Sequence, residues 1–418
     1  MNGTNVPTAT NAILTLASAQ ISDTGNYQLL ITNPYGSATS AVFRLTIVPP
    51  SAIAYWDGGG DGVSWGNRLN WSDDTLPNST NDVVINAASG LTVTHFSGGD
   101  VVRSIECNSA LAIAAGSLST VGGDSHVNGP LTVSPGAALV VSGSNATLTV
   151  TTMTDLAAGN FNATSGGRLR LPVSRTYTKS GGCYQAYIEA NGPGSVIELP
   201  ALTNLVNTGC DWLNVRALAG GQVQVPNLET MTGAAIRIHS EGAGSVIEMP
   251  KWREGARNSP FTSFQALNGG IVRLNNNEEI NQAVSILASG PGAVVELLSL
   301  RRFNGATMEA NNGGVILAPN LWFMDRASLI VRGSGQAPVS ELRKLTASTV
   351  TVDGTTVVLP ALFHWAGTTF NYLNGGSVRL PQVDLVLSDL MPSTNQFWCG
   401  DRVTLAWQGT NRTGAEIV

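Results

Sequence analysis

The chain has 418 residues, enough for two or three domains, with 22 Lys and Arg against 28 Asp and Glu and a net charge of −6. The cations are 19 Arg and 3 Lys with no basic run, so the electrostatic footprint of a nucleic-acid binder is missing. Glycine at 47 positions and 12% charged residues, with no apolar run of the roughly 18–20 residues that span a bilayer, indicate a β-rich, turn-rich chain of extracellular style without a transmembrane segment.

Residues 1–48 alternate like short strands: Asp23-Thr24-Gly25-Asn26-Tyr27-Gln28-Leu29, then Ile31-Thr32-Asn33-Pro34-Tyr35-Gly36, then Ala41-Val42-Phe43-Arg44-Leu45-Thr46-Ile47. This stretch resembles the C-terminal part of a bacterial immunoglobulin-like domain. Asp23-x-Gly25-x-Tyr27 matches the tyrosine corner, whose phenol bonds back to the turn backbone. Leu29 stands where antibody-type domains carry cysteine, so an intersheet disulfide is excluded. Earlier strands of such a domain are missing, and no basic segment leads into an apolar one in residues 1–30. The expectation is that Met1 is not the natural start.

Residues 49–84 open on the stiff linker Pro49-Pro50-Ser51. A cap rich in Trp and Gly follows: Tyr55-Trp56-Asp57-Gly58-Gly59-Gly60-Asp61-Gly62-Val63-Ser64-Trp65, Asn70-Trp71-Ser72, Pro77 and Asp82-Val83-Val84-Ile85. The pattern resembles the opening that precedes β-helical passengers of autotransporter-like bacterial surface proteins. Its three tryptophans suit a cap over the exposed strand edges of a first coil. Calcium at Asp57, Asp61 and Asp82 is an alternative, although their spacing misses the usual calcium-loop pattern. A tryptophan platform for sugars is another.

From residue 85 to 381 the chain is repetitive. Short strands such as Leu91-Thr92-Val93, Ser104-Ile105-Glu106, Leu111-Ala112-Ile113, Leu131-Thr132-Val133, Leu139-Val140-Val141 and Leu148-Thr149-Val150 come first. The repeat then sharpens. Gly192-Pro193-Gly194-Ser195-Val196-Ile197-Glu198-Leu199-Pro200 returns as Gly242-Ala243-Gly244-Ser245-Val246-Ile247-Glu248-Met249-Pro250, with looser copies from Gly166, Gly220, Gly269, Gly290, Gly313 and Gly375 and degenerate ones near Gly333 and Gly354. The second glycine of successive copies falls at 167, 194, 221, 244, 270, 292, 314, 335, 354 and 376, giving steps of 19 to 27 residues. Each copy alternates with period two, placing Leu169/Leu171, Ile197/Leu199, Val223/Val225 and their equivalents on one face. A strand this short cannot bury that face alone, so it must stack on the next coil. The fold class predicted is all-β: a right-handed parallel β-helix of about 22–27 residues per turn, about 13 turns and about 60 Å long.

The position between each inward pair holds Arg170, Glu198, Gln224, Glu248, Arg273, Glu296, Leu317, Val358 and Arg379. Stacked turns would bring Arg170 to Glu198, and Glu248 to Arg273 and on to Glu296, in a solvated column that fixes register. Glu198 and Glu248, two turns apart, are also at the outer edge of the separation used by inverting glycosidases.

Residues 382–418 change style, with Val383-Asp384-Leu385-Val386-Leu387 and then Gly400-Asp401-Arg402-Val403-Thr404-Leu405-Ala406-Trp407. They resemble the N-terminal part of a cell-adhesion-related (CARDB) β-sandwich, too short here to close. Neither end supplies a whole sandwich, so apolar faces such as Val42/Leu45/Ile47 would lack a second sheet.

Cys183 and Cys210 lie 27 residues apart, as do their marker glycines Gly194 and Gly221. They therefore share a phase on consecutive turns, about 4.8 Å apart, as a disulfide or as stacked buried thiols. His95, His126, His239 and His364 are scattered and read as surface or turn residues. The sequence offers no catalytic, metal or cofactor residues. The expected function is a structural and adhesive stalk segment of a large secreted or cell-surface bacterial protein, with surface glycans or other cell-surface proteins as partners and no catalysis. The alternative is a carbohydrate-active or glycan-binding β-helix, in which Trp212, Trp252, Trp322 and Trp365 could bind sugar or pack between turns.

Overall fold

The computed structural model describes residues 5–6, 13–16, 19–47, 53–153, 155–157, 159–253, 262–281, 284–380 and 398–399. Two compact units divide the chain at Ala52 and Ile53. In the first, Gly25–Tyr27 pairs antiparallel with Phe43–Leu45, and Leu30–Asn33 forms a hairpin with Gly36–Thr39. The tyrosine-corner bond is present: the Tyr27 hydroxyl donates to Asp23 O at 2.7 Å, and the ring is buried against Phe43. Apolar surface is left uncovered, with Ile31, Val42 and Phe43 each about 60% exposed.

The second unit is an all-β, right-handed parallel β-solenoid of about 13 turns over residues 82–379. Each turn contributes up to three strands. The first sheet stacks the opening strands in a run of 12, and the third stacks the closing strands in a run of 14. The second sheet, between them, comprises runs of three, four and five strands. Turn 1 uses Asp82–Ile85, Thr92–His95 and Gly99–Val102. Asp82–Ile85 therefore opens the solenoid instead of closing the cap. Turns 10 to 13 begin at Val294, Val315, Gln336 and Thr356, respectively.

Inward residues follow the period-two pattern. Ile197, Val223, Ile247, Val272, Val295 and Ile316 stand in register on six consecutive turns, all buried. Burying each such side chain contributes about 1.5–3 kcal/mol. The paired glycines divide two tasks. Gly220 takes φ +93° at the corner, whereas Gly221 is needed for closeness, since a Cβ there would run into the Ala190 carbonyl oxygen. The serine after the corner ties turns together. Ser195 Oγ accepts from Gly166 N and donates to Asn191 O, and Ser245 does the same with Gly220 N and Glu241 O.

The cap seats on the open end of turn 1. Ile53–Tyr55 pairs in parallel with Asp82–Ile85, and Ser64 bridges Thr94, so backbone covers two of the three exposed edges. Trp65 and Trp71 are fully buried with rings 4.9 Å apart, and Trp56 meets Trp71 edge-on at 5.1 Å. Residues 48–52, the linker prolines included, lie outside the described residues. So does the CARDB-like stretch, apart from Trp398–Cys399, whose backbone pairs in parallel with Asn371 and Tyr372 of turn 13.

Candidate functional site

The outward column of the first sheet forms as its spacing implies. Arg170, Glu198, Gln224, Glu248, Arg273, Glu296 and Leu317 are successive register partners. Arg273 lies 2.5 Å from Glu248 and 3.3 Å from Glu296, while Glu198 takes Arg170 at 3.3 Å and also Arg168 at 2.6 Å. Both carboxylates of the glycosidase alternative are thus engaged by guanidinium, with Gln224 standing between them. Glycoside hydrolysis needs both groups to keep a free face toward substrate, and their arginine partners occupy part of it.

The three carboxylates of the calcium alternative each accept hydrogen bonds. Asp61 Oδ1 accepts from Val63 N, Ser64 N and Asn70 Nδ2 at 2.7–3.0 Å, Asp57 from Gly59 N, and Asp82 from Arg103 and Ser104. Those bonds, from Ser64 N first and then Asn70, hold the Asp61 carboxyl well below the usual range. Among the described residues no three His, Cys, Asp or Glu gather as a metal site.

Cys183 and Cys210 form a disulfide between turns 5 and 6, with Cα atoms 5.0 Å apart. Both cysteines are exposed, so the alternative of buried core thiols is corrected. The residues between the inward strand end and the next strand form a protruding loop, which the 27-residue phase alone could not reveal. Beneath it Lys179 points inward, fully covered, with Nζ 4.6 Å from the Tyr184 ring and without a hydrogen-bond acceptor. A Cβ on Gly209 would meet this amine and the Gly181 and Gly182 carbonyl oxygens. Loss of water pushes the amine below its ordinary pKa, partly offset by Asp211.

Other expected positions move. His95 is not a surface residue: it is buried inside turn 1, with Nδ1 2.9 Å from Ala115 O. Its Nε2 lies 3.0 Å from Asp100 Oδ2, off the axis of a hydrogen bond. Trp252 is core against Phe264, and Trp365 points inward beside Leu345. Trp212 is half-buried under Arg237 at 4.3 Å. Of the four, Trp322 lines an outer groove.

That groove, about 620 Å³ and open, is lined by Arg301, Pro319, Asn320, Trp322, Glu341 and Arg343. It lies where the chain enters the second sheet on turns 10–12, and the residues there form a ladder that sequence reading missed. The backbone links Arg301 to Trp322, Trp322 to Arg343 and Arg343 to Phe363, one per turn. Their neighbours Arg302, Phe323, Lys344 and His364 are direct register partners. Two cations, two aromatics, two cations and two aromatic rings therefore follow one another up the solenoid. Arg302 sits 5.4 Å from the Trp322 ring and Lys344 5.4 Å from the Phe323 ring. A signal existed in the doublets after each inward turn, which recur at 301, 322, 343 and 363. No helix among the described residues is long and apolar enough to cross a membrane. No family model matches the chain, and neither a curated protein nor a solved structure is found to match it.

Proposed function

We propose that the chain is a structural and adhesive stalk segment of a secreted or cell-surface bacterial protein, acting without catalysis. The observation that carries this is the outward column of the first sheet, whose carboxylates are spent on arginines of adjacent turns and so hold register. The exposed Cys183–Cys210 disulfide adds support for an oxidising compartment outside the cytosol. Immunoglobulin-like and CARDB-like flanks belong to the same proposal; their warrant is the residue patterns of 1–48 and 382–418 together with the Tyr27 corner.

The competing reading is a polysaccharide hydrolase or lyase using the Glu198 and Glu248 face. Incubating the full chain with a panel of plant, bacterial and animal polysaccharides and measuring new reducing ends separates the two. No turnover is expected. Release of reducing ends that disappears in Glu198→Gln or Glu248→Gln would move the reading to an enzyme.

A further inference from the structure

We infer that the outer face of the second sheet over turns 10–13 is a binding track for an extended anionic polysaccharide whose negative charge falls on alternate sugars. The inference holds whether or not the chain serves as a stalk. Backbone pairing fixes the order of the ladder: Arg301/Arg302, Trp322/Phe323, Arg343/Lys344, Phe363/His364. Turns step by about 4.8 Å, so like doublets recur roughly every 9–10 Å. A pyranose in an extended chain is about as long as one step. One sugar can then lay its C–H face on an aromatic doublet while the next sets its charged substituent over a cation doublet.

The groups are available for this. Arg301 and Arg343 are exposed, as is Phe363 at 61%. Among the described residues Arg301, Arg302 and Lys344 have no carboxylate within ion-pair distance, and Arg343 reaches only the exposed Glu341, at 3.5 Å. A free guanidinium offers the planar fork that grips carboxylate or sulfate through two hydrogen bonds. Charge is complementary as well. Residues 301–302, 325–326 and 341–344 hold five cations against Asp325 and Glu341 on a chain of net charge −6, and the track ends at Glu278 and Glu279, the doublet that precedes Arg301/Arg302 in the same column on turn 9. Single-stranded nucleic acid also combines stacking with phosphate contacts. It carries charge on every unit, however, which fits a ladder with cations on every second turn less well.

The test uses the full chain and titration calorimetry at low salt and at about 0.15 M salt. Probes are hyaluronan, with a carboxylate on alternate sugars, polygalacturonate, with one on every sugar, neutral dextran and oligothymidylate. Hyaluronan is expected to bind, weaken with salt and exceed the other three. The double substitution Arg301→Gln/Arg302→Gln should lower its affinity about tenfold or more. Phe363→Ala, on an exposed ring, should also weaken it with the fold intact by circular dichroism. Arg216→Gln, on the third sheet, should leave it unchanged. Failure of hyaluronan to bind at low salt, equal or tighter binding of polygalacturonate or oligothymidylate, or full affinity in the Arg301/Arg302 variant overturns the inference.

Discussion

A single amide, Asn70, organises the cap loop. Its Oδ1 accepts from Gly60 N and Gly62 N, and its Nδ2 donates to Asp61 Oδ1 at 2.7 Å and Ser64 O at 2.9 Å, all from a fully buried position. Gly60 fits because a Cβ there would press on the Asn67 and Asn70 side chains. Asn70→Ala would strand several of these partners, and a cost of about 2–4 kcal/mol is expected, read as earlier loss of the tryptophan near-ultraviolet signal on heating. Asp61 adds a pH dependence. Its folded pKa is depressed, so its contribution is complete above the ordinary carboxylate value near pH 4 and drains away as pH falls below it. The tryptophan signal should weaken in that acid range, and Asp61→Asn should flatten the effect. An acid profile unchanged by that substitution would place the sensitivity elsewhere.

At the scale of an element, the disulfide loop between the second and third sheets is the local reinforcement. Cys183 and Cys210 close a 27-residue segment, for which loop-closure entropy suggests about 2–4 kcal/mol. A solenoid turn rests only on its neighbours, so the loss on reduction should stay local. Hydrogen exchange with and without reductant should show faster exchange over 176–218, within turns 5 and 6 beneath the bond. Turns 1–3 and 10–13 should keep their protection. Uniform loss along the solenoid would mean that the turns melt as one body. Gly209 belongs to the same device, because any side chain there would collide with the Lys179 amine.

For the whole solenoid, stacking makes the turn the unit of change. Gly220 and Gly244 occupy the same corner on adjacent layers; a Cβ on Gly244 would lie 3.5 Å from Gly220 Cα. Removing residues 221–243 joins these corners and drops turn 7's strands, leaving Val196–Glu198 to pair with Val246–Glu248. That deletion should keep cooperative unfolding and parallel-β circular dichroism. Removing 221–232 instead breaks the in-and-out alternation against both neighbours and should abolish folding of the surrounding turns. Equal tolerance of the two deletions would contradict turn-by-turn stacking.

Period two and a recurring corner are written in the chain itself, which is why the inward column, the outward Arg–Glu column and the shared phase of Cys183 and Cys210 could be read before any coordinates. Side-chain alternation is a local property, and glycine corners mark the phase. What crosses between turns was not legible to the same degree. The steps between corner glycines vary from 19 to 27 residues, so the residues facing one another on the second sheet depend on how each loop absorbs the difference. The doublets at 301, 322, 343 and 363 hint at a column, and strand pairing is what places Arg302, Phe323, Lys344 and His364 in register within it. Burial follows the same logic. His95 looks like an isolated polar residue in sequence, yet it alternates with Val93 on the inward face and stacks in register on Ile113, while Trp365 is partly buried beside its register partner Leu345.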